Sequence, residues 1–299
     1  MTVVRDRVTG ALIEERVFGR DMLARLYGSG KASHLRRLLR TRWFCSLYGA
    51  LQRSRLSRGR VAAFARDLGI DLGEAELSLD RYGSLDAFFT RRLKPGARPV
   101  DLAPHHLVSP CDGRVLVTPA VGSELVVKRS RVRLELLLGD AGLARQFAGG
   151  PALVIRLAPA DYHRFHFVDW GRACEVRKVP GPLESVHGMA LAAGASSFEN
   201  ARHVSVFSSR NFGELAIVEV GAMLVGTIVQ SPHGGQVSRG DEKGYFRFGG
   251  STVVLLVEPG RIHLDEDLVS ASRSGVESLV RVGTRIGCAW PQQATGGTA

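Results

Sequence analysis

Short apolar runs separated by glycine or proline dominate the chain from about residue 96 onward. Four of them read "GRVLVTP", "PALVIRL", "LAIVEVGAMLVGTIV" and "STVVLLVEPG". Runs of this length that are rich in β-branched residues and bounded by turn formers indicate strands. The pattern predicts a β-rich domain over residues 96–299, built mainly from antiparallel strands.

The first third of the chain has a different pattern. Between Lys31 and Arg60 there are nine lysines or arginines and no acidic residue, and large apolar residues recur near helical spacing. The proline-rich stretch "LKPGARPVD", residues 93–101, ends this region. We therefore predict an α+β fold with two domains: a basic N-terminal helical region, residues 1–95, and the mostly antiparallel β domain, residues 96–299.

One predicted strand contains a break. The stretch "YFRFGGSTVVLLVEPG", residues 245–260, reads as a buried strand that is interrupted by Gly249, Gly250 and Ser251. Glycine weakens a strand interior, and it marks a bulge or a place where another group approaches the backbone closely. The break is therefore a candidate functional position.

The net charge of +11 in 299 residues favours an anionic partner, either nucleic acid or an anionic membrane surface. Arginines with Trp and Phe on an amphipathic helix suit a membrane interface, although a helix packed on the body with a solvated arginine face remains an alternative. No nucleic-acid-binding motif accompanies the charge, so we predict no nucleic-acid partner.

The cysteine pattern fits a reducing compartment. The four cysteines are far apart and form no CxxC pair, which favours neither a disulfide framework nor a zinc site. The first twenty residues are charged throughout, unlike a secretory signal. The longest uncharged stretch, residues 220–238, contains proline and several glycines, so it is a poor transmembrane helix.

Three stretches of the β-rich region carry reactive groups. Asp112 precedes a glycine in "SPCDGRV", which alone is typical of a turn. His163 and His166 lie three apart in "DYHRFHF", but no third ligand has convincing spacing, so we predict no metal site. With Ser251 these residues supply a carboxylate, an imidazole and a hydroxyl, the set that activates a serine.

The surroundings of Ser251 differ from those of an ordinary hydrolase. It is followed by threonine and a strand, not by the glycine and helix of a G-x-S-x-G elbow. A serine hydrolase whose chain stays intact remains an alternative, but a reaction other than ester hydrolysis is favoured.

Five motifs occur in order between about residue 35 and residue 258. They are "YGSLDAFFTRRLKPGARPVD", "LVSPCDGRV", "DYHRFHF", "FGELAIVEVGAMLVGTI" and "GYFRFGGSTVVLL". Together they resemble the successive signatures of the phosphatidylserine decarboxylase proenzymes. The Gly-Gly-Ser-Thr sequence resembles one subgroup's processing motif, where other members have Leu-Gly-Ser-Thr.

The resemblance implies that the chain cuts itself between Gly250 and Ser251 into chains 1–250 and 251–299, which stay associated. Ser251 would become a covalent pyruvoyl group (the pyruvate cofactor) and the Schiff-base site for the substrate amine. His166 would be the base acting on Ser251, with Asp112 orienting and stabilising its imidazole. His163 would assist reprotonation after loss of CO₂.

The function that the resemblance implies is conversion of phosphatidylserine to phosphatidylethanolamine and CO₂ in phospholipid biosynthesis. The expected partners are the phospholipid substrate and an anionic membrane, at whose cytoplasmic face the enzyme would be peripheral; the oligomeric state, a homo-oligomer included, is left open. Alternatives are a pyruvoyl-dependent decarboxylase of a free aromatic amino acid and a non-enzymatic membrane-binding relative.

One segment departs from the family pattern. It reads "VKRSRVRLELLLG", residues 127–139, with Arg129, Val132 and Arg133 in place of the glycine, tyrosine and serine of many members. The departure leaves the lipid preference open. Binding of a phosphate by these arginines as a bidentate clamp is an alternative, but we expect them to face solvent.

Overall fold

The structure, a computed structural model, describes residues 3–15, 41–173, 175–222, 227–249 and 251–290. Within these ranges the chain forms helices and a larger number of mostly antiparallel strands, which confirms the predicted α+β class. The helices are α1 (Arg42–Arg53), α2 (Val61–Leu68), α3 (Leu85–Phe89), α4 (Leu134–Leu138), α5 (Ala141–Phe147), α6 (Gly188–Ala192) and α7 (Glu266–Arg273), with 3-10 helices at Arg55–Arg60, Leu72–Glu74, Leu79–Arg81 and Ser197–Glu199.

The strands are distributed over one large sheet and three small ones. In chain order they are β1 (Val3–Arg5), β2 (Leu12–Glu14), β3 (His106–Val108), β4 (Gly113–Thr118), β5 (Glu124–Val127), β6 (Ser130–Arg133), β7 (Ala152–Leu157), β8 (Arg164–His166), β9 (Gly171–Ala173), β10 (Arg177–Val179), β11 (Arg202–Ser209), β12 (Gly213–Gly221), β13 (Ile228–Gln230), β14 (Gln236–Val237), β15 (Glu242–Phe246), β16 (Ser251–Val257), β17 (Ile262–Leu264), β18 (Glu277–Val280) and β19 (Arg285–Ala289).

An eleven-stranded sheet forms the centre of the molecule. Its strand order is β14-β9-β11-β12-β16-β7-β4-β18-β1-β2, with β10 paired to β11. Along β16, Val253 and Leu255 pack into a core on one face, while Val254 and Leu256 pack into a second core on the other. Both faces of the strand are therefore buried, which explains why its sequence is an unbroken apolar run.

The predicted strand with a central break is in fact two strands in different sheets, so that prediction was wrong. β15 lies in a three-stranded sheet between β13 and β8, whereas β16 lies in the large sheet between β12 and β7. Between them Gly249 has a φ of 143°, which disfavours any residue with a Cβ. The glycines lie where the chain changes sheets; Gly250 itself lies outside the described residues.

The start of the predicted helical region is also strand. β1 pairs in parallel with β18, and β2 pairs with β1, so residues 3–14 extend the sheet of the β-rich region. A turn joins them, in which Asp6 accepts the Val8 backbone N–H and Gly10 adopts a φ of 72°. The prediction of a helical region over residues 1–95 is therefore wrong for residues 3–14, whereas α1, α2 and α3 lie in this region. The division into two domains near residue 95 stays a prediction.

The helices of the N-terminal region pack against the chain just before β16. α2 buries Val61, Phe64 and Leu68 at helical spacing, and these contact a cluster that includes Phe89 and Phe248. Of the helices in the described ranges, none has both the length and the apolar character needed to cross a membrane. The packing places α3 directly beside the segment that leads to Ser251.

Candidate active site

Two of the proposed site residues, Asp112 and Ser251, lie at one end of the central strands of the large sheet. Arg114 of β4, Arg156 of β7 and Thr252 of β16 are aligned across three neighbouring strands. Ser251 comes one residue before Thr252, and Asp112 comes two residues before Arg114. Because one strand separates β4 from β16, their backbones lie about 10 Å apart. The sheet thus places Asp112 and Ser251 at the same end of its strands, with one strand between them.

Ser251 is buried and its hydroxyl has no hydrogen bond. The residue is fully buried, and its Oγ has no partner among the described residues. It alternates with Val253 and Leu255, so its side chain faces the same core as theirs. A buried hydroxyl without a partner costs about 1–3 kcal/mol, so such a group in a native structure calls for a functional reason.

His166 presents a buried lone pair. Its Nδ1 lies 2.9 Å from the backbone carbonyl oxygen of Gly240. Since a carbonyl only accepts, Nδ1 carries the proton and Nε2 of the neutral ring carries the lone pair. Nε2 is buried without a partner in the described chain. Burial lowers the pKa of His166, while the charges of Glu242 and Asp112 oppose that effect. The ring is therefore available as a base.

Asp112 is held by other groups than the one expected. Arg98 donates to it from Nε at 3.1 Å and from Nη2 at 2.8 Å, and the backbone N–H of Val282 donates at 2.9 Å. The orienting contact to Nδ1 of His166 is made by the Gly240 carbonyl, not by Asp112. Asp112 and His166 are linked indirectly, through the backbone: the backbone N–H of His166 donates to the carbonyl of Pro110, two residues before Asp112, at 2.7 Å. The effect of Asp112 on His166 is electrostatic: its charge opposes the lowering of the His166 pKa by burial.

His163 has the same arrangement as His166 in a deeper position. It is fully buried, its Nδ1 lies 2.9 Å from the Asp161 carbonyl, and its Nε2 has no partner among the described residues. The Phe89 ring lies 3.8 Å away, between centroids. Burial lowers the pKa of His163 to about 3, so the ring is neutral at physiological pH.

Strand pairing brings the two histidines beside the segment that leads to Ser251. β8 pairs with β15, and the Phe246 N–H donates to the His163 carbonyl at 2.9 Å. Phe248 lies two residues further on, and its ring centroid is 5.0 Å from that of Phe89. His163, Phe89 and Phe248 thus form a continuous set of ring contacts up to the glycine pair.

Two contributors to this site were missed at the sequence level. The Gly240 carbonyl carries no side-chain signal, and Phe89 in "LDAFF" reads as an ordinary core residue. Of the three phenylalanines in the motifs around the histidines and the glycine pair, Phe165 and Phe167 lie in the large core and only Phe248 reaches the ring that stacks on His163. The signal for Phe89 was its place in a motif quoted above, not its chemistry.

The metal-ligating residue types and Cys111 are also candidates within the described ranges. The described residues contain no group of three or more His, Cys, Asp or Glu side chains placed to hold a metal ion. Cys111, beside Asp112, is a free and fully buried thiol, and burial raises its pKa well above the usual value. A thiol in that state is a poor nucleophile.

A buried ion-pair cluster lies at the same end of these strands, on the opposite face of the sheet. Arg156 donates to Glu277 at 2.8 Å and to Glu15 at 2.9 Å, and Lys128 lies 3.3 Å from Glu277. The attraction of these cations outweighs burial and lowers the pKa of Glu277 to about 2. The cluster fastens the start of the chain behind the strand that begins with Ser251.

The segment that departs from the family pattern is the β5–β6 hairpin and the start of α4. Val132 is buried in the second core, whereas Arg129 and Arg133 are exposed. Solvent-facing arginines were the expectation for this segment, and it is confirmed.

The burial of His163 predicts acid sensitivity. Unfolded histidine takes up a proton near pH 6.5, but folded His163 stays neutral to about pH 3, so stability falls as the pH drops through this window. The variants are compared in a Ser251→Ala background, so that all chains are uncut. The chain that keeps His163 should lose more unfolding free energy between pH 7 and pH 5 than His163→Gln, by about 2 kcal/mol. Urea unfolding at both pH values measures this. The exposed His105→Gln serves as control, and an equal loss in all three proteins would contradict the assignment.

Comparison with known proteins agrees with these features. The family model described as phosphatidylserine decarboxylase matches residues 85–288. A phosphatidylserine decarboxylase proenzyme of Ruminiclostridium cellulolyticum is 38% identical over 292 residues, which cover 96% of this chain and 97% of the relative. One from Clostridium perfringens is 40% identical over 294 residues, covering 96% and 99%. One from Chlamydia trachomatis is 43% identical over 249 residues, covering 82% of each. The chain belongs to the phosphatidylserine decarboxylase family.

Proposed function

We propose that the chain is a precursor that cuts itself between Gly250 and Ser251 and then decarboxylates phosphatidylserine to phosphatidylethanolamine. The observation that carries the proposal is that Ser251 Oγ and His166 Nε2 are both buried polar atoms without a hydrogen-bond partner among the described residues. A hydroxyl and a neutral imidazole lone pair are the two groups needed to make a serine nucleophilic.

The first step is an acyl shift within the chain. His166 Nε2 takes the proton from Ser251 Oγ, which attacks the Gly250 carbonyl carbon; the peptide C–N bond breaks, and the proton returns to the released amine. The product is an ester between Gly250 and the side chain of residue 251. Gly249, with its φ of 143°, supports the proposal because it lets the chain turn sharply just before the bond to be cut.

Elimination and hydrolysis follow. Loss of the Cα proton of residue 251 expels the Gly250 carboxylate and leaves an enamine, which takes up water and releases ammonia. One water is consumed and one ammonia is released for each chain cut. The new chain 251–299 then begins with a pyruvoyl group. It stays associated with chain 1–250 because β16 pairs with β12 along its whole length and with β7 from Ser251 to Leu256.

The surroundings of Ser251 fit a pyruvoyl group. It would occupy the place of the Ser251 side chain, where the described residues offer the present hydroxyl no hydrogen bond. A ketone there supplies an electrophile for the substrate amine and an acceptor for the electron pair left by the departing CO₂. His163 moves the proton: its Nε2 lone pair takes one from the substrate ammonium and returns one to carbon. Phe89 and Phe248 exclude water from this histidine.

The substrate is tested by product release. The purified enzyme, given phosphatidylserine labelled at the serine carboxyl carbon in detergent micelles, should release labelled CO₂. Free tyrosine, tryptophan and serine, labelled in the same way, should release none. Release from a free aromatic amino acid with none from phosphatidylserine would replace the lipid by the alternative substrate class, and release from neither would favour a non-enzymatic relative.

The enzyme would reach its substrate at an anionic membrane, as a peripheral protein of the cytoplasmic face. Trp43, Leu47 and Leu51 follow one face of α1 and are 70%, 57% and 45% exposed. Arg53, Arg55, Arg58 and Arg60, all exposed, continue from this apolar stripe. Apolar side chains with flanking cations suit the interface of an anionic bilayer. The expected basic segment also includes residues 31–40, which lie outside the described residues.

Leu47→Glu should weaken binding to vesicles of mixed phosphatidylserine and phosphatidylcholine about tenfold or more. Burying a leucine in the bilayer interface contributes roughly 1.5 kcal/mol or more, and a carboxylate also repels the anionic surface. Co-sedimentation at several salt concentrations measures the change. Leu102→Glu, at a leucine that is 61% exposed outside the stripe, is the matched control. Equal binding of both variants and the wild type would remove the stripe from the membrane interface.

A further inference from the structure

Three consecutive backbone amides fix the chain just before the glycine pair. The Phe246 N–H donates to the His163 carbonyl at 2.9 Å, and the Arg247 N–H donates to the Thr227 carbonyl at 3.1 Å. The Phe248 N–H donates at 3.0 Å to Oδ1 of Asp86. The first two acceptors are backbone groups, whereas the third, the last before Gly249, is a side chain.

The Asp86 carboxylate is itself held firmly. The residue is 6% exposed, and its Oδ2 accepts from Nη1 of Arg247 at 2.9 Å. It lies in the first turn of α3. Ser84 is the N-cap of this helix, and its hydroxyl accepts the Ala87 N–H. The Leu85 N–H donates to the Ser57 hydroxyl at 2.9 Å, so a residue outside α3 also anchors this turn. The carboxylate therefore offers a fixed acceptor to the segment between β15 and β16, at a residue 162 positions further along the chain.

We propose that Asp86 is a positioning residue for self-cleavage. By accepting the Phe248 N–H it fixes the point from which the glycine pair turns, and so presents the Gly250 carbonyl to the Ser251 hydroxyl. Ser251 is fixed independently as the first residue of β16. With both ends held, only the two glycines remain to be placed. This inference rests on the proposed cut between Gly250 and Ser251.

Loss of the acceptor should therefore slow the acyl shift. Without Oδ1 the last backbone N–H with a fixed acceptor before the glycines is that of Arg247. One more residue, Phe248, is then free to change conformation between this anchor and the Gly250 carbonyl. Reacting groups displaced by about 1 Å can lose about a hundredfold in rate. We expect Asp86→Ala to cut about 10- to 100-fold more slowly than the wild type.

The variants separate the hydrogen bond from the ion pair. Asp86→Asn keeps a carbonyl oxygen that can accept the Phe248 N–H, so it should cut within about threefold of the wild type. Arg247→Ala removes the ion pair but leaves Asp86 in place, and it should also cut within about threefold. Asp67→Ala, at an aspartate whose side chain is 62% exposed on α2, is the matched control.

The experiment follows newly made chains in a cell-free translation reaction. A labelled pulse is chased, and the fraction of cut chain is read from denaturing gels over time; melting temperatures of the same variants on a Ser251→Ala background report folding. If Asp86→Ala does not fold, Asp86→Ser, whose hydroxyl is too short to reach the amide, replaces it with the same predicted slow cut.

Hydroxylamine tests which step is slowed. It cleaves the ester formed by the acyl shift, releasing chain 1–250 as a hydroxamate and leaving Ser251 with a free amine. If Asp86 positions the carbonyl for the shift, hydroxylamine should not restore the rate of cutting in Asp86→Ala. Restoration to the wild-type rate would place the defect in the elimination and overturn the proposal.

Two further results would overturn it. One is a normal rate in Asp86→Ala while the wild type is cut in the same reaction. The other is equal slowing in Asp86→Asn and Arg247→Ala, which would make the ion pair the relevant contact. A wild-type chain that is never cut would instead contradict the proposed function on which this inference rests.

Discussion

Ser251→Ala should remain at full length and release no CO₂ from phosphatidylserine. Without the hydroxyl there is no nucleophile for the Gly250 carbonyl, and without the cut there is no ketone for the substrate amine. The change removes a buried Oγ that has no partner among the described residues, so it should not destabilise the fold. Denaturing gels and CO₂ release measure the two effects. The expected loss is total on both counts.

Ser278→Ala is the matched control, because Ser278 is another buried serine of the same large sheet. It should be cut and active. Ser251→Cys is expected to cut slowly, since a thiol can make the acyl shift, but to form the ketone poorly. A Ser251→Ala chain that is cut, or that decarboxylates while uncut, would refute the assignment of Ser251.

The two histidines should have separable effects. His166→Ala should leave the chain uncut, because removing a general base costs about 10² to 10⁴ in rate. His163→Ala should allow at least partial cutting, since His166 and Ser251 remain, but the cut enzyme should release little CO₂. The fraction of cut chain and the CO₂ released per cut chain are measured on the same preparation.

His105→Ala, at an exposed histidine, is the control and should resemble the wild type. The reverse pattern, in which His163→Ala blocks cutting while His166→Ala is processed normally, would exchange the two roles. Loss of cutting in both variants with unchanged melting temperatures would show that the histidines act together in processing.

The strands of the large sheet could be predicted because burial on both faces gives a continuous apolar signal. β7 and β16 are each buried along their whole length, and their sequences are mostly apolar, with few polar residues such as Arg156. The sheet that each strand joins could not be predicted. β15 and β16 are separated by only a few residues, yet they lie in different sheets, because pairing depends on partners far away in the chain.

The N-terminal strands were missed for a related reason. β1 and β2 are three residues long, and β1 pairs with β18 near the other end of the chain. So short a segment carries little periodic signal, and its stability comes from tertiary contacts such as the Glu15–Arg156 ion pair. No local pattern distinguishes it from a loop.

At the site, residue types were predictable and contacts were not. Asp112, His163, His166 and Ser251 were named from motifs. The structure places the two histidines at β8, which pairs with β15, and it places Asp112 and Ser251 at the same end of the large sheet. The partner of Asp112 is Arg98, and the group that orients His166 is the Gly240 carbonyl. Every residue has a backbone carbonyl, so the sequence does not show which one orients His166. The contact between Arg98 and Asp112 depends on the path of the segment after α3 past the ends of the strands.

Self-cleavage can be tested on the purified, active enzyme by separating its chains and measuring their intact masses. Two chains are expected: residues 1–250 with an ordinary carboxyl end, and residues 251–299 with a mass lower by one ammonia than the sequence from Ser251 gives. The smaller chain should also resist amine-directed sequencing, because it begins with a ketone. A fully active enzyme with the mass of one unbroken chain of 32.4 kDa would contradict the account.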